Sequence, residues 1–192
     1  SIAPLDFYGG PTKTHALLPG SPAIDSGSAA YCPVTDQRGV TRPVGSGCDV
    51  GAFEDDPVPG LGSSTPADGA QLPAGVASLD VVFSKAVLAD GSASAADNPM
   101  NYLLVEAGLN ESFDTQSCLV GLADDDVQIA VNTSDYQDST HTATLTINGG
   151  QILDPGWYRL FICGTTSMTD LYGLKLNYGL EDSLVSFTIY AS

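Results

Sequence analysis

From Thr65 onward the chain repeats one device: a short run in which apolar and polar residues alternate, ended by Gly, Asp, Asn or Pro. The clearest runs are 76–83, 102–105, 127–131, 142–147, 157–162 and 184–190. In 142–147, Ala143, Leu145 and Ile147 alternate with threonines, as a strand with one buried face requires. In 157–162, Trp157, Arg159 and Phe161 fall on one face and Tyr158, Leu160 and Ile162 on the other. No stretch shows a capped helix of 3.6-residue period, although 93–98 could make a single turn before Pro99. Several short strands with turns at this spacing predict an all-β domain, a β-sandwich over 65–192.

Residues 1–54 have a different texture. They are rich in Gly, Pro, Ser and Thr, with apolar pieces no longer than Ala16-Leu17-Leu18 or Val50-Gly51-Ala52-Phe53. Such a segment has too little apolar surface to form a domain alone and is expected to cap or extend another element. Between the two regions, 55–64 (DDPVPGLGSS) reads as a short, fairly stiff linker.

Cys32, Cys48, Cys118 and Cys163 allow three pairings, and this punctuation puts two of them in each half. Local pairing, Cys32 with Cys48 and Cys118 with Cys163, is the natural reading. The rival is zinc, but no pair has the C-x-x-C spacing usual for a structural zinc site. Disulfides imply an oxidising, extracellular or cell-surface location.

Six Lys and Arg stand against 23 Asp and Glu, a net charge of −17. That surface would repel nucleic acid and anionic membranes. No apolar run reaches the length of a membrane span and no signal-type segment opens the chain, so membrane insertion is not expected. Its start at Ser1 reads as a processed product or fragment.

Two longer strings carry family resemblances. GGPTKTHALLPGSPAID, then CPVTDQRGVTRP, then CDVGAFE, within 9–54, resemble the C-terminal end of the right-handed parallel β-helix proteins called choice-of-anchor Q proteins. The resemblance implies that this segment closes a β-helix and that Cys32 pairs with Cys48. The chain departs from the family in lacking the rungs that should precede Gly9, which implies a longer parent protein. The strings STPADGAQL, VVFSKAV, NPMNYLLVEAG and LDPGWYRLFICGTTSMTDLYGLKL resemble bacterial immunoglobulin-like domains of S-layer and surface proteins. Such domains are usually spacers or adhesion modules, and no catalytic residue comes with the resemblance. The fold expected is therefore a β-helix cap over 1–54, a linker over 55–64 and an immunoglobulin-like β-sandwich over 65–192.

Catalysis is not expected. A serine-hydrolase triad needs a histidine beside a nucleophile, and only His15 and His141 are available, neither near a G-x-S-x-G elbow. Glycoside cleavage by paired carboxylates needs a groove along many rungs. No cofactor is expected, and calcium is the one metal the acids could take: Asp124, Asp125 and Asp126, or Asp135 with Asp138, supply hard oxygen ligands without calcium-loop spacing. A solvated acidic turn is the plainer reading. Asn110 and Asn132 open N-x-[ST] triplets, and the aromatic residues are expected mainly in the core and at strand edges.

The function expected is a non-enzymatic extracellular structural protein: a stalk module, or a filament subunit assembled head to tail. Ile2, Leu5, Phe7 and Tyr8 are the candidate assembly residues, since a short, partly apolar segment could dock as a strand on a neighbour. The partners would be further copies of the chain or neighbouring surface domains. The alternative is an adhesin or carbohydrate-binding module that presents loops to a glycan.

Overall fold

In the computed structural model, which describes residues 1–191, the chain is all-β with a few short 3-10 turns. It divides into two compact units. One is Ser1–Pro57, with which Tyr172–Leu174 groups; the other is Val58–Leu171 and the residues from Lys175 on.

In the first unit β1 (Ile2–Asp6) pairs antiparallel with β2 (Thr14–Leu17), and the rest is turns. Among the described residues of this unit no parallel strand pairing occurs.

The second unit holds two sheets. One has four strands: β3 (Leu61–Thr65), β5 (Ser78–Phe83), β9 (Thr142–Ile147) and β8 (Val131–Gln137), in that order. The other has five: β4 (Ala70–Pro73), β11 (Ser183–Tyr190), β10 (Gly156–Ile162), β6 (Tyr102–Glu106) and β7 (Val127–Ile129). All pairings are antiparallel except β4 with β11.

The two sheets share one apolar core, and the alternation in the sequence shows how. Leu79, Val81 and Phe83 of β5 and Ala143, Leu145 and Ile147 of β9 point inward from one sheet; Tyr158, Leu160 and Ile162 of β10 and Val185, Phe187 and Ile189 of β11 point inward from the other. Tyr158 lies opposite Phe187 in register, and their rings stack with centroids 5.5 Å apart. On the outer face of the four-stranded sheet, Thr144 donates from Oγ1 to Asp80 Oδ1 across the same rung, at 2.7 Å.

Three strands escaped the sequence pattern, each for a physical reason. The last four residues of the stretch expected to be linker, 61–64, belong to the sheet, because Leu61–Thr65 is β3. It pairs with β5 through main-chain hydrogen bonds that Gly and Ser can make as well as any residue. β4 ends at Pro73, which an outer strand tolerates. β8 is mostly polar, with only Ser134 buried, because it too is an outer strand. The expected strand 127–131 is divided: β7 ends at Ile129 in one sheet and β8 begins at Val131 in the other. Residues 93–98 form turns, and a 3-10 turn follows at Pro99–Asn101 with Asn98 capping Met100 N.

Candidate functional site

Both disulfides are local. Cys32 bonds Cys48 in the first unit, across 16 residues, and Cys118 bonds Cys163 in the second, across 45. Each joins a loop to a different part of the chain.

The first unit's interior is ionic. Asp36, Arg38, Arg42, Asp49 and Glu54 are all buried. Asp36 receives the N–H groups of Arg38 and Val40 on Oδ1 (2.7 and 3.0 Å) and that of Glu54 on Oδ2 (3.0 Å), where Arg38 Nε also binds at 2.8 Å. Burial alone would raise Asp36's carboxyl, but these hydrogen bonds and the Arg38 charge outweigh it and hold it below the usual value. Arg38 also donates to the Glu54 carbonyl at 2.5 Å and lies 3.7 Å over the Phe53 ring. Glu54 accepts from Val44 N and Asp49 N, with Arg42 Nε 3.3 Å from its Oε2; that contact is an ion pair rather than a well-aligned hydrogen bond. Arg42 spans the carbonyls of Asp49 and Gly51, and Asp49 holds the N–H groups of Asp25 and Asp55. The charges are thus spent on the unit's own backbone, as buried ions must be. They are the D, R, R, D and E of CPVTDQRGVTRP and CDVGAFE. The sequence reading took these strings as a family signature and missed that their charged residues meet in space.

At the N-terminus, Ile2, Leu5 and Phe7 are just over half exposed, whereas Tyr8 is buried. Tyr8 meets Phe53 edge-on at 6.2 Å and donates to the Pro4 carbonyl at 2.9 Å. Of the four candidate assembly residues, Tyr8 is therefore committed inside its own unit, and the segment is a paired strand rather than a free arm.

In the second unit the 107–126 loop, stapled by Cys118–Cys163, folds over the outer face of the five-stranded sheet. Phe113 stacks on Arg159 at 4.2 Å, and Val105 and Phe161, which point away from the main core, are fully buried. Two acids hold this loop. Asp126 Oδ2 accepts from Asp114 N (3.1 Å) and Thr115 N (2.7 Å). Asp182 accepts from Cys118 N (2.6 Å), Thr165 N (2.8 Å) and Thr165 Oγ1 (2.7 Å).

The calcium candidates are not brought together. Asp126 is turned to the loop backbone, and its Oδ1 is buried without a hydrogen-bond partner. Asp125 is exposed and accepts from Asn110 N, and Asp124 is exposed at a positive-φ turn. Asp135 stands opposite Thr144 on β8, and Asp138 lies in the β8–β9 turn. Among the described residues no group of three or more His, Cys, Asp or Glu is placed to hold a metal ion. His15 Nδ1 lies 2.7 Å from the Ala3 carbonyl, and His141 sits at a positive-φ turn. Asn110 and Asn132 use their side chains on Asp114 and Gly149 N.

Two of the clefts among the described residues lie on the second unit. One, of about 390 Å³, lies beside the Cys118–Cys163 bond among Met100, Tyr102, Leu122 and Val131. The other, of about 350 Å³, is bounded by Glu106, Glu111, Asp125, Val127 and Trp157. Burial and the neighbouring Asp154 carboxylate push the Glu106 carboxyl above its ordinary value.

No family model matches the chain, and no curated protein does. Solved structures similar to the chain at a low level include two of an S-layer protein and one of CopC. The S-layer protein rSbsC(31-844) is 18% identical over 70% of this chain and 14% of its own, with a TM-score of 0.40. Domains 1-6 of the surface layer protein SbsC give 19%, 70%, 14% and 0.41. CopC from Methylosinus trichosporium OB3b gives 12%, 69%, 94% and 0.37. The chain spans only 14% of the length of either S-layer structure.

Proposed function

We propose that this chain is a non-enzymatic structural piece of an extracellular or cell-surface protein, a stalk module or filament subunit, in which a stapled capping segment precedes an immunoglobulin-like sandwich. The observation that carries the reading is where the reactive and charged side chains are spent. All four cysteines are in disulfides, and the buried ions of the first unit serve its own backbone. Both are investments in rigidity, and the disulfides belong to an oxidising compartment.

The immunoglobulin-like assignment is supported by strand order. The orders β3-β5-β9-β8 and β11-β10-β6-β7 follow the two sheets of such domains, with the opening strand divided so that β4 joins the second sheet beside β11. It is also supported by Tyr158, near the start of β10, whose hydroxyl donates to the Asp154 carbonyl at 2.9 Å. This is the tyrosine corner of the immunoglobulin fold. Two residues on, where antibody domains have the second core cysteine, this chain has Leu160.

A filament of this chain must overcome its own charge of −17 per copy. The exposed Ile2, Leu5 and Phe7 of β1 are the residues through which copies would meet. Electron microscopy and sedimentation of the non-reduced chain across a salt series test the reading. Fibres that appear as salt screens the charge support a filament subunit, and stable monomers a stalk. Saturable binding on a glycan array would favour the adhesin, and turnover of a polysaccharide would overturn the structural reading.

A further inference from the structure

Resting on the head-to-tail reading, we propose that the cleft beside the Cys118–Cys163 bond receives the exposed β1 side chains Ile2, Leu5 and Phe7 of a second copy of the chain. Charge singles this cleft out. The chain carries 23 Asp and Glu, yet none of the described residues that line the cleft is charged. The cleft beside Trp157, by contrast, is bounded by Glu111 and Asp125. A copy of net charge −17 meets like charge there and none at the uncharged cleft, which is where an acidic copy can approach.

The rim of the cleft displays apolar side chains. Met100 is 84% exposed, and Leu119, Val120 and Leu122, around the turn closed by the Gly121 N–H on the Ser117 carbonyl, are exposed as well. An apolar hollow edged by exposed apolar side chains marks an interaction surface.

Those side chains stand on fixed backbone. Met100 sits in the 3-10 turn capped by Asn98, beside the buried Asn101, which donates to the Ala93 and Ala95 carbonyls at 3.0 and 2.7 Å. The turn before Leu122 is held by the disulfide at Cys118, whose N–H binds Asp182 at 2.6 Å. A hollow that is already formed loses little entropy when it is filled.

The same molecule displays the matching surface. Pairing with β2 and burial of Ala3 fix β1 and leave Ile2, Leu5 and Phe7 outside, on a segment whose residues 1–5 carry no charged side chain. A hollow of about 390 Å³ is in the range that takes a small ligand and has room for such side chains. Gln128 of β7 lines the cleft, and β1 and β7 are both outer strands, so main-chain groups on each are left to pair. A pocket on one part of a molecule and an apolar patch that fits it on another make a heterologous contact, which builds a chain of copies wherever the rotation does not close.

The test is sedimentation velocity of the non-reduced full chain through a salt series, with Met100→Glu and Leu122→Glu at the cleft and Leu5→Glu on β1. All three positions are exposed, and an unchanged denaturation midpoint checks that each variant folds. Each substitution is expected to weaken self-association about tenfold or more, since it puts a carboxylate into an apolar contact. An equimolar mixture of Met100→Glu and Leu5→Glu chains should recover dimers and nothing longer, because one intact cleft then meets one intact β1. Association that survives both cleft variants overturns the proposal and leaves the head-to-tail reading in place, with its receiving surface elsewhere. Association lost in the cleft variants but kept in Leu5→Glu means cleft-to-cleft pairing and also overturns it, as does a mixture that recovers no dimer. Monomers at every salt concentration overturn it together with the filament reading and leave the stalk module standing.

Discussion

In the sandwich, Leu145, Leu160 and Phe187 lie in an interior of other apolar side chains. In residues 1–57 the interior holds five charged side chains, and its buried apolar residues are few, among them Val40 and Phe53. The two regions thus answer the same problem with opposite chemistry. A sandwich buries alternate residues of paired strands and needs no polar group inside. A turn-rich segment leaves many N–H and C=O groups outside any ladder, and carboxylates and guanidinium groups can satisfy several at once. Asp36 does this for three N–H groups. The cost is fragility, since removing one ion strands its partner, whereas removing a methyl group leaves only a cavity.

That contrast can be broken most sharply at Arg38. Arg38→Ala strands Asp36 without its counter-ion and is expected to cost the first unit about 3–5 kcal/mol. Amide exchange of 36–54 should rise toward the unfolded rate while the amides of β9 and β10 stay protected. Loss of protection in both units together would show that the ionic interior does not stabilise the first unit by itself.

The apolar counterpart is Leu145→Ala, a fully buried truncation expected to cost the sandwich about 3 kcal/mol, read as a shift in the denaturation midpoint with unchanged slope. The protection of 36–54 against local opening should not change. A pH series sharpens the same point. Asp36's folded-state value is depressed, so its contribution is present above the ordinary value of 3.8 and is lost as pH falls through the lower folded value. Asp55 runs the other way. Burial first, then the Asp49 and Asp56 charges, raise its value above 3.8, so protonating it on the way down from neutral pH adds stability. The first unit should be most stable in mild acid and weaken below it, and a flat amide-protection profile for 36–54 between neutral pH and about pH 3 would contradict the assignment. The smallest effect is expected from Tyr158→Phe, which removes one neutral hydrogen bond at the corner of the sandwich and should cost about 1 kcal/mol in the same denaturation assay.

How much of this was legible beforehand follows the same division. Strands 142–147 and 157–162 could be read because each carries its burial pattern in its own alternation, which is a local property. β3, β4 and β8 could not, since each is an outer strand held by main-chain pairing rather than by an apolar pattern of its own, β4 with a strand more than 100 residues on and β8 with the next strand of its hairpin. The four cysteines could be assigned to halves by punctuation alone. The acids could not be sorted: Asp124, Asp125 and Asp126 are consecutive, yet two are exposed while Asp126 is buried beneath its loop.

By itself the sequence determined the all-β character, the acidic surface, and the change at about residue 60 from turn-rich to alternating chain, because composition and period are local quantities. Only the tertiary structure decided that the charges of the first 57 residues form an interior, and that Tyr8 is buried while Ile2, Leu5 and Phe7 are not. Those outcomes depend on which groups meet across long stretches of chain, where an ion is either matched or stranded, and no local pattern records that choice.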